Sequence, residues 1–307
     1  MYPTPGFRRE LPITVLLVLL LSIPRAAEAQ EIEPRAYANI PAGMNALALA
    51  YSWSEGNVVS DATLPLQDLE LTAHTPALMY VRTFSLFGKL GRVQATVPYV
   101  FLSGTGKLAG QDSSGARNGF ADARLRLGVN IFGSPALAPK DFQRFQQETI
   151  FGVSVVVSVP IGHYDAPRLV NIGSNRWGFK PELGVSHSFG RLYAEVYAGV
   201  WLTTVNDEFR ETGTLDQDPI YSFSWHVSYV FKSGIWLAAN GVHVHGGNTS
   251  VNGVYSDSFQ KNWRLGATVS IPFTRQASVK VLFHTGVATR IGADFNILTI
   301  AYQYIWF

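Results

Sequence analysis

Residues Phe120–Phe132 read FADARLRLGVNIF, and their alternation decides the fold. In an extended chain Leu125, Leu127, Val129 and Ile131 fall on one face, and Asp122, Arg124, Arg126, Gly128 and Asn130 on the other. A period of two marks a β-strand whose two faces meet different surroundings. The same ladder recurs at 150–161, 220–231, 260–271 and 298–306. In 220–231, for instance, Tyr221, Phe223, Trp225, Val227, Tyr229 and Phe231 oppose Ser222, Ser224, His226 and Ser228. Weaker ladders at 46–53, 70–84, 92–103, 177–189, 191–203, 235–246 and 278–290 bring the count to twelve candidate strands. Pro76 points to a late start for the second of them, because proline donates no ladder hydrogen bond.

The links between ladders alternate in length. Segments 54–69, 104–119, 162–176, 204–219 and 247–259 are long and rich in Gly, Ser, Asn and Asp, whereas those near Gly88–Gly91, Gly190, Lys232–Gly234 and Pro272–Ala277 are short. Long loops on one side and tight turns on the other describe an outer-membrane barrel. Residues 133–148 break the rule, being long on the short-turn side, and Pro139, Phe142 and Phe145 suggest a helical turn there. A surface helix is the expectation, with a lid over the lumen or the interface as the alternative.

Which face points inward follows from energy. An arginine facing lipid near the midplane costs roughly 2–4 kcal/mol, so Arg124 and Arg126 turn into the lumen and the leucines face lipid. Ladders of about twelve residues exceed the 9–11 that a tilted strand needs to cross. Aromatic residues gather near strand ends (Trp53, Tyr99, Trp177, Phe189, Trp263, Trp306), as interfacial girdles do. A soluble twelve-stranded barrel would be hollow, since about eight strands are the most that side chains can fill.

Composition agrees. Of 307 residues only 15% are charged, while 19 Phe, 13 Tyr and 7 Trp are present, against roughly 25% charge in soluble domains. Mean hydropathy stays at +0.10 because each strand averages an apolar and a polar face. The absence of cysteine excludes a disulfide scaffold, thiolate metal sites and a cysteine nucleophile. With 24 basic against 22 acidic residues, no basic field recruits nucleic acid.

The chain starts with an export signal: Arg8 and Arg9, the apolar run Leu11–Ile23, and Ala27-Glu28-Ala29 as cleavage site. The run is too short to span as a helix. The expected organisation is a cleaved signal peptide over 1–29, a periplasmic lead over 30–45 and a barrel over 46–307. The closing Tyr304-Ile305-Trp306-Phe307 suits recognition by barrel-assembly machinery.

Several stretches resemble an exported barrel family, the meta-pathway phenol-degradation transporters. They are Arg35-Ala36-Tyr37-Ala38-Asn39 with Pro41 and Gly43, Gly119–Leu125, Pro160–Asp165, Asn171–Gly184, Asp216–Pro219, Arg264–Thr268 and Tyr302-Gln303-Tyr304. The resemblance implies a twelve-stranded antiparallel transmembrane barrel. A related channel exports functional amyloid and carries an N-terminal coiled coil. The short lead here argues against that activity.

Eight charged residues share predicted lumen parity: Asp122, Arg124, Arg126, Lys180, Glu182, Glu195, Arg264 and Lys280. They would either select solutes at a constriction or pair with one another and fill the lumen. Tyr193, Tyr197 and Trp201 share the parity of Glu195, as an aromatic ladder for solutes or as packing. Asn171, Asn175 and Arg176 lie in a loop that would form a constriction by folding inward. Asp207, Glu208, Asp216 and Asp218 make loop 204–219 acidic, which fits a solvated surface.

His243-x-His245 lacks a third metal ligand and reads as a polar pair at the rim. His226 and Ser228 raise lipid hydrolysis, which needs an orienting Asn, Asp or Glu beside the histidine. The expected protein is a channel in the bacterial outer membrane, with no catalytic residue, metal or cofactor. It contacts lipid and passes small aromatic or amphipathic solutes. The alternative is a largely closed barrel with a structural or surface-interaction role.

Overall fold

The computed structural model describes residues 32–59, 66–108, 110–168 and 170–307. The expected signal peptide over 1–29 lies outside them. No helix among the described residues is long and apolar enough to cross a membrane, and the chain is built from strands.

In chain order these are β1 (Asn45–Val59), β2 (Leu66–Leu86), β3 (Lys89–Leu108), β4 (Gln111–Phe120), β5 (Ala123–Phe132), β6 (Thr149–Val159), β7 (Gly178–Phe189) and β8 (Leu192–Thr203). Next come β9 (Asn206–Phe209), β10 (Gly213–Gln217), β11 (Ile220–Val230), β12 (Trp236–Gly246), β13 (Thr249–Val251) and β14 (Val254–Tyr255). The chain finishes with β15 (Gln260–Pro272), β16 (Ala277–Ala288) and β17 (Gly292–Trp306).

The wall is a closed antiparallel barrel of twelve strands. Each strand pairs with the next, and β1 closes against β17 from Asn45↔Trp306 to Val59↔Gly292. The wall counts β4 and β5 as one strand. The outer half of β3 (Tyr99–Leu108) pairs with β4 and its inner half (Gly91–Thr96) with β5. Closure satisfies every wall strand's backbone where lipid offers no partner.

All twelve expected ladders are strands, with differences at their ends. β2 runs straight through Pro76, which stands opposite Tyr51 of β1, so Pro76 marks no start. On its other side the β2–β3 register passes from His74↔Phe101 to Ala77↔Pro98. Segment 104–119, expected as a loop, extends β3 and β4 as a hairpin. Above the lipid neither face must be apolar, so the sequence alternation fades while the hydrogen bonds continue. Likewise β9, β10, β13 and β14 form a separate four-stranded sheet within the loops 204–219 and 247–259.

Faces fall as the arginine argument requires. Leu125, Leu127 and Ile131 are exposed outward, while Asp122 and Asn130 are buried. Rings pair near both ends of the wall: Tyr80, Tyr304 and Trp306 at the end of the termini, and Tyr99 with Phe101 and Phe120 at the other.

Residues 32–44 differ most from expectation. The sequence places them in a lead before the barrel; in the structure Arg35–Ala38 bond to inner-face side chains, and Ala42–Met44 bond to Leu137 and Thr83. The reason is partner supply, because this segment carries charges and backbone groups that the inner face is built to receive. Segment 133–148 has one helical turn, Pro139–Phe142, and is more than a surface helix. Leu137 accepts the Ala42 N–H at 2.8 Å, and Ser134 Oγ donates to Asn39 Oδ1 at 2.6 Å. It holds the entering segment at the mouth.

Candidate functional site

The site is the lumen where residues 33–39 meet the wall. Pro34–Tyr37 makes a turn with Arg35 at φ 66°, closed by the Ala38 N–H donating to the Arg35 carbonyl at 3.1 Å. From there contacts radiate to many strands. The Arg35 N–H donates to Glu195 Oε2 on β8 at 2.7 Å, and the Ala36 N–H to the Tyr197 hydroxyl at 3.2 Å. Arg92 on β3 donates to the carbonyls of Ala36 and Ala38. Asn130 on β5 donates to the Tyr37 carbonyl at 3.0 Å. Only a chain inside the ring can reach β3, β5 and β8 at once.

Tyr37 is the anchor, at 2% exposure. Its ring lies against Gly152 of β6 and Gly184 of β7, which stand opposite each other in the ladder. A Cβ at either position would come within 2.1 Å of the ring, so the two glycines form a slot that no larger residue can leave open. The Tyr37 hydroxyl donates to Glu182 Oε1 (3.1 Å) and lies 2.9 Å from Ser154 Oγ. Burial, then the Glu182 charge, push its pKa up to about 12. The phenol therefore keeps its proton at any physiological pH.

Around this ring three of the predicted charges, Arg126, Lys180 and Glu182, pair. Arg126 contacts Glu182 Oε1 at 2.6 Å and Glu33 at 3.5 Å, and Lys180 contacts Glu182 Oε2 at 2.6 Å. Arg126 also stands over the Tyr37 ring, 5.2 Å from its centroid. Arg124 lines a small void with Glu33, Gln94 and Arg126. Lys280 stands over Trp236 on β12, and Arg35 over both Tyr193 and Trp236. Arg264 lies apart, donating to the Ala293 carbonyl and facing His284. Two charges of opposite sign in low dielectric need such pairing, because burying either alone costs several kcal/mol.

The aromatic ladder is brought together. Tyr193 lies 4.4 Å beneath the Arg35 guanidinium, Tyr197 meets Tyr37 edge-on at 5.0 Å, and Trp201 joins a buried cluster with Ile32 and Val244. All three face the inserted segment.

Asp122 serves another purpose than the charged ring expected of it. Both its oxygens accept backbone N–H groups of the 160–177 segment, from Gly162 at 3.0 Å and Ser174 at 2.7 Å. It clamps that loop, because carboxylates bind such donors strongly. Asn171 ties the loop to itself through Asp165 and Arg168. Asn175 and Arg176 tie it to Asn206, Glu208 and Gln217 in the small outer sheet. These side chains are spent on loop structure.

His243 and His245 sit beside outer aromatics, stacked on Trp263 and edge-on to Phe259 respectively. His226 has the orienting partner that a hydrolase would need, with Nδ1 2.8 Å from Asn240 Oδ1. Yet Ser228 Oγ and His226 Nε2 are both buried without a hydrogen bond, so the pair is not joined. The inserted segment and the Gly152/Gly184 slot escaped sequence inspection. Two glycines of like parity on adjacent ladders were the available signal.

A closed antiparallel wall with lipid-facing apolar rows and an ion-paired interior defines an outer-membrane β-barrel. An outer membrane channel from Pseudomonas putida F1 shares this fold over 90% of the present chain and 100% of its own, at 19% identity and a TM-score of 0.77. The β domain of the Bordetella autotransporter Brka aligns over 86% of the present chain and 100% of its own, at 11% identity and a TM-score of 0.50. Within that class the chain belongs to the family described as the MetA-pathway of phenol degradation, whose model matches residues 54–297. No curated protein matches it.

Proposed function

We propose that the protein is an outer-membrane channel for small aromatic or amphipathic solutes, held shut at rest by its own residues 32–44. One observation carries this: the segment occupies the lumen through polar contacts to inner-face residues of β3, β5, β6, β7 and β8. Its hydrogen bonds and ion pairs can exchange for water as it leaves, and its apolar anchors are few, the Tyr37 ring and Ile32. Its departure would bare Tyr193, Tyr197, Trp201 and Trp236, rings on which apolar solutes can stack. The charges Arg126, Lys180, Glu182 and Glu195 would then line the path. Residues 1–29 are proposed to direct export, and the aromatic end of β17 to engage the assembly machinery. No catalytic step enters this account.

The test uses the absence of native cysteine. Asn39→Cys with Ser134→Cys should form a single disulfide that locks the segment. In planar bilayers the oxidised pair should stay silent and conduct after reduction, and deletion of 32–43 should give lasting open steps. Silence of the deletion variant, with a normally heat-modifiable barrel, would favour a closed structural barrel instead.

A further inference from the structure

The outer half of the inner face holds a second site. A cleft of about 380 Å³ opens between the tall β2–β4 wall and the inward-folded 160–177 loop. Such a volume suits a small organic ligand. Its apolar surface comes from Leu69, Leu71 and Leu102 on the wall and Pro167 and Val170 on the loop. Arg117, opposite Leu102 in the β3–β4 ladder, points into the same space. Among the described residues its guanidinium has no hydrogen-bond or ion-pair partner.

The neighbouring charges are Arg168 and Asp165. Asp165 is already engaged, accepting from Arg168 Nε at 2.7 Å. The cleft is therefore one positive charge in excess, and that charge sits beside leucines. Lower on the inner face Arg92, Arg126 and Arg264 each have a carboxylate or carbonyl from the chain itself. A half-buried guanidinium over an apolar floor matches the chemistry of an amphipathic anion.

We propose that this cleft binds a small amphipathic monoanion, a carboxylate on a compact apolar body, with Arg117 as the carboxylate ligand. The planar fork of a guanidinium matches a carboxylate in a bidentate pair, while the leucines take the hydrocarbon. Gly115 keeps the entrance clear: a Cβ there would meet nothing within 4 Å, so a larger side chain fills the cleft without displacing the wall. As an outer vestibule for the lumen this deepens the channel account and rests on it. Binding itself does not.

The experiment is titration calorimetry on the full-length barrel in lipid nanodiscs, with empty nanodiscs as blank. Benzoate and hexanoate should bind at one site, while benzyl alcohol and acetate, each lacking one half of the chemistry, should bind at least tenfold more weakly. Arg117→Gln should weaken benzoate at least tenfold, and Gly115→Phe should abolish its heat. Equal binding of benzoate and benzyl alcohol to the wild-type protein, or unchanged affinity in Arg117→Gln or Gly115→Phe, overturns the proposal. Benzoate binding beside a silent deletion variant would leave the site standing and remove the channel. Conduction without benzoate binding would do the reverse.

Discussion

The lower lumen and the outer vestibule share one inner face, and β3 contributes to both. At its lower end Arg92 is bonded to the carbonyls of Ala36 and Ala38; higher up Leu102 and Gly104 line an open cleft with Arg117. Below, Arg126, Lys180 and Glu182 pair with one another around the Tyr37 ring. Above, a cation stands beside apolar surface at an open cleft. Charge on a barrel's inner face thus does two different jobs. Paired, it holds residues 33–37 against the wall; unpaired, in the proposed vestibule, it would offer a ligand a place.

The contrast is easiest to break at Glu182. Glu182→Ala leaves Arg126 and Lys180 without their shared carboxylate, and breaking a buried pair typically costs about 3–5 kcal/mol. The variant should lose the plug before the wall, seen as bilayer conductance at temperatures where the barrel still migrates folded. Gly184→Leu comes next. Its side chain collides with the Tyr37 ring, an overpacking cost of about 1–3 kcal/mol, and should raise open probability while the outer cleft keeps its affinity for benzoate. A parallel loss of benzoate binding would show that the two regions are one.

Asp122→Asn tests the vestibule's own support. Replacing a carboxylate that accepts two backbone N–H bonds should cost about 1.5–3 kcal/mol locally, read as faster proteolysis within 160–177 with conductance unchanged. The smallest effect belongs to Tyr37→Phe, about 1.5 kcal/mol for the lost hydroxyl bond to a carboxylate that keeps its two cations. Tyr37 favours the seated state while protonated. Because its seated pKa lies above the free value of 10.0, at about 12, its contribution is complete below pH 10 and fades as pH climbs through 12. Absorbance titration should show one late tyrosinate in the wild-type protein that Tyr37→Phe removes.

The wall was legible because lipid enforces alternation: a single arginine on the wrong face of 120–132 costs roughly 2–4 kcal/mol. Inward placement of Arg126, Lys180, Glu182 and Glu195 follows from parity alone. What they meet does not. Residues 32–44 have no period, and nothing local tells Tyr37 that its slot lies more than a hundred residues away. Extension of β3 and β4 beyond the membrane was equally hidden, since Thr105, Lys107 and Ser113 answer to water on both faces and need no pattern. Asp122 shows the limit most plainly: its parity is right, but its partners are backbone groups, which every residue possesses.

The slot for Tyr37 has a consequence in time as well as space. It consists of Gly152 and Gly184 on two different strands, in register across their shared ladder, so it does not exist until β6 and β7 have paired. The Glu195 contact adds a condition from β8, 160 residues along the chain from Arg35. Contacts so distant in sequence form late, after the entropy of closing the intervening chain has been overcome. The first described segment of the protein is therefore among the last to find its place, and a seated Tyr37 certifies that the middle of the wall has been assembled correctly.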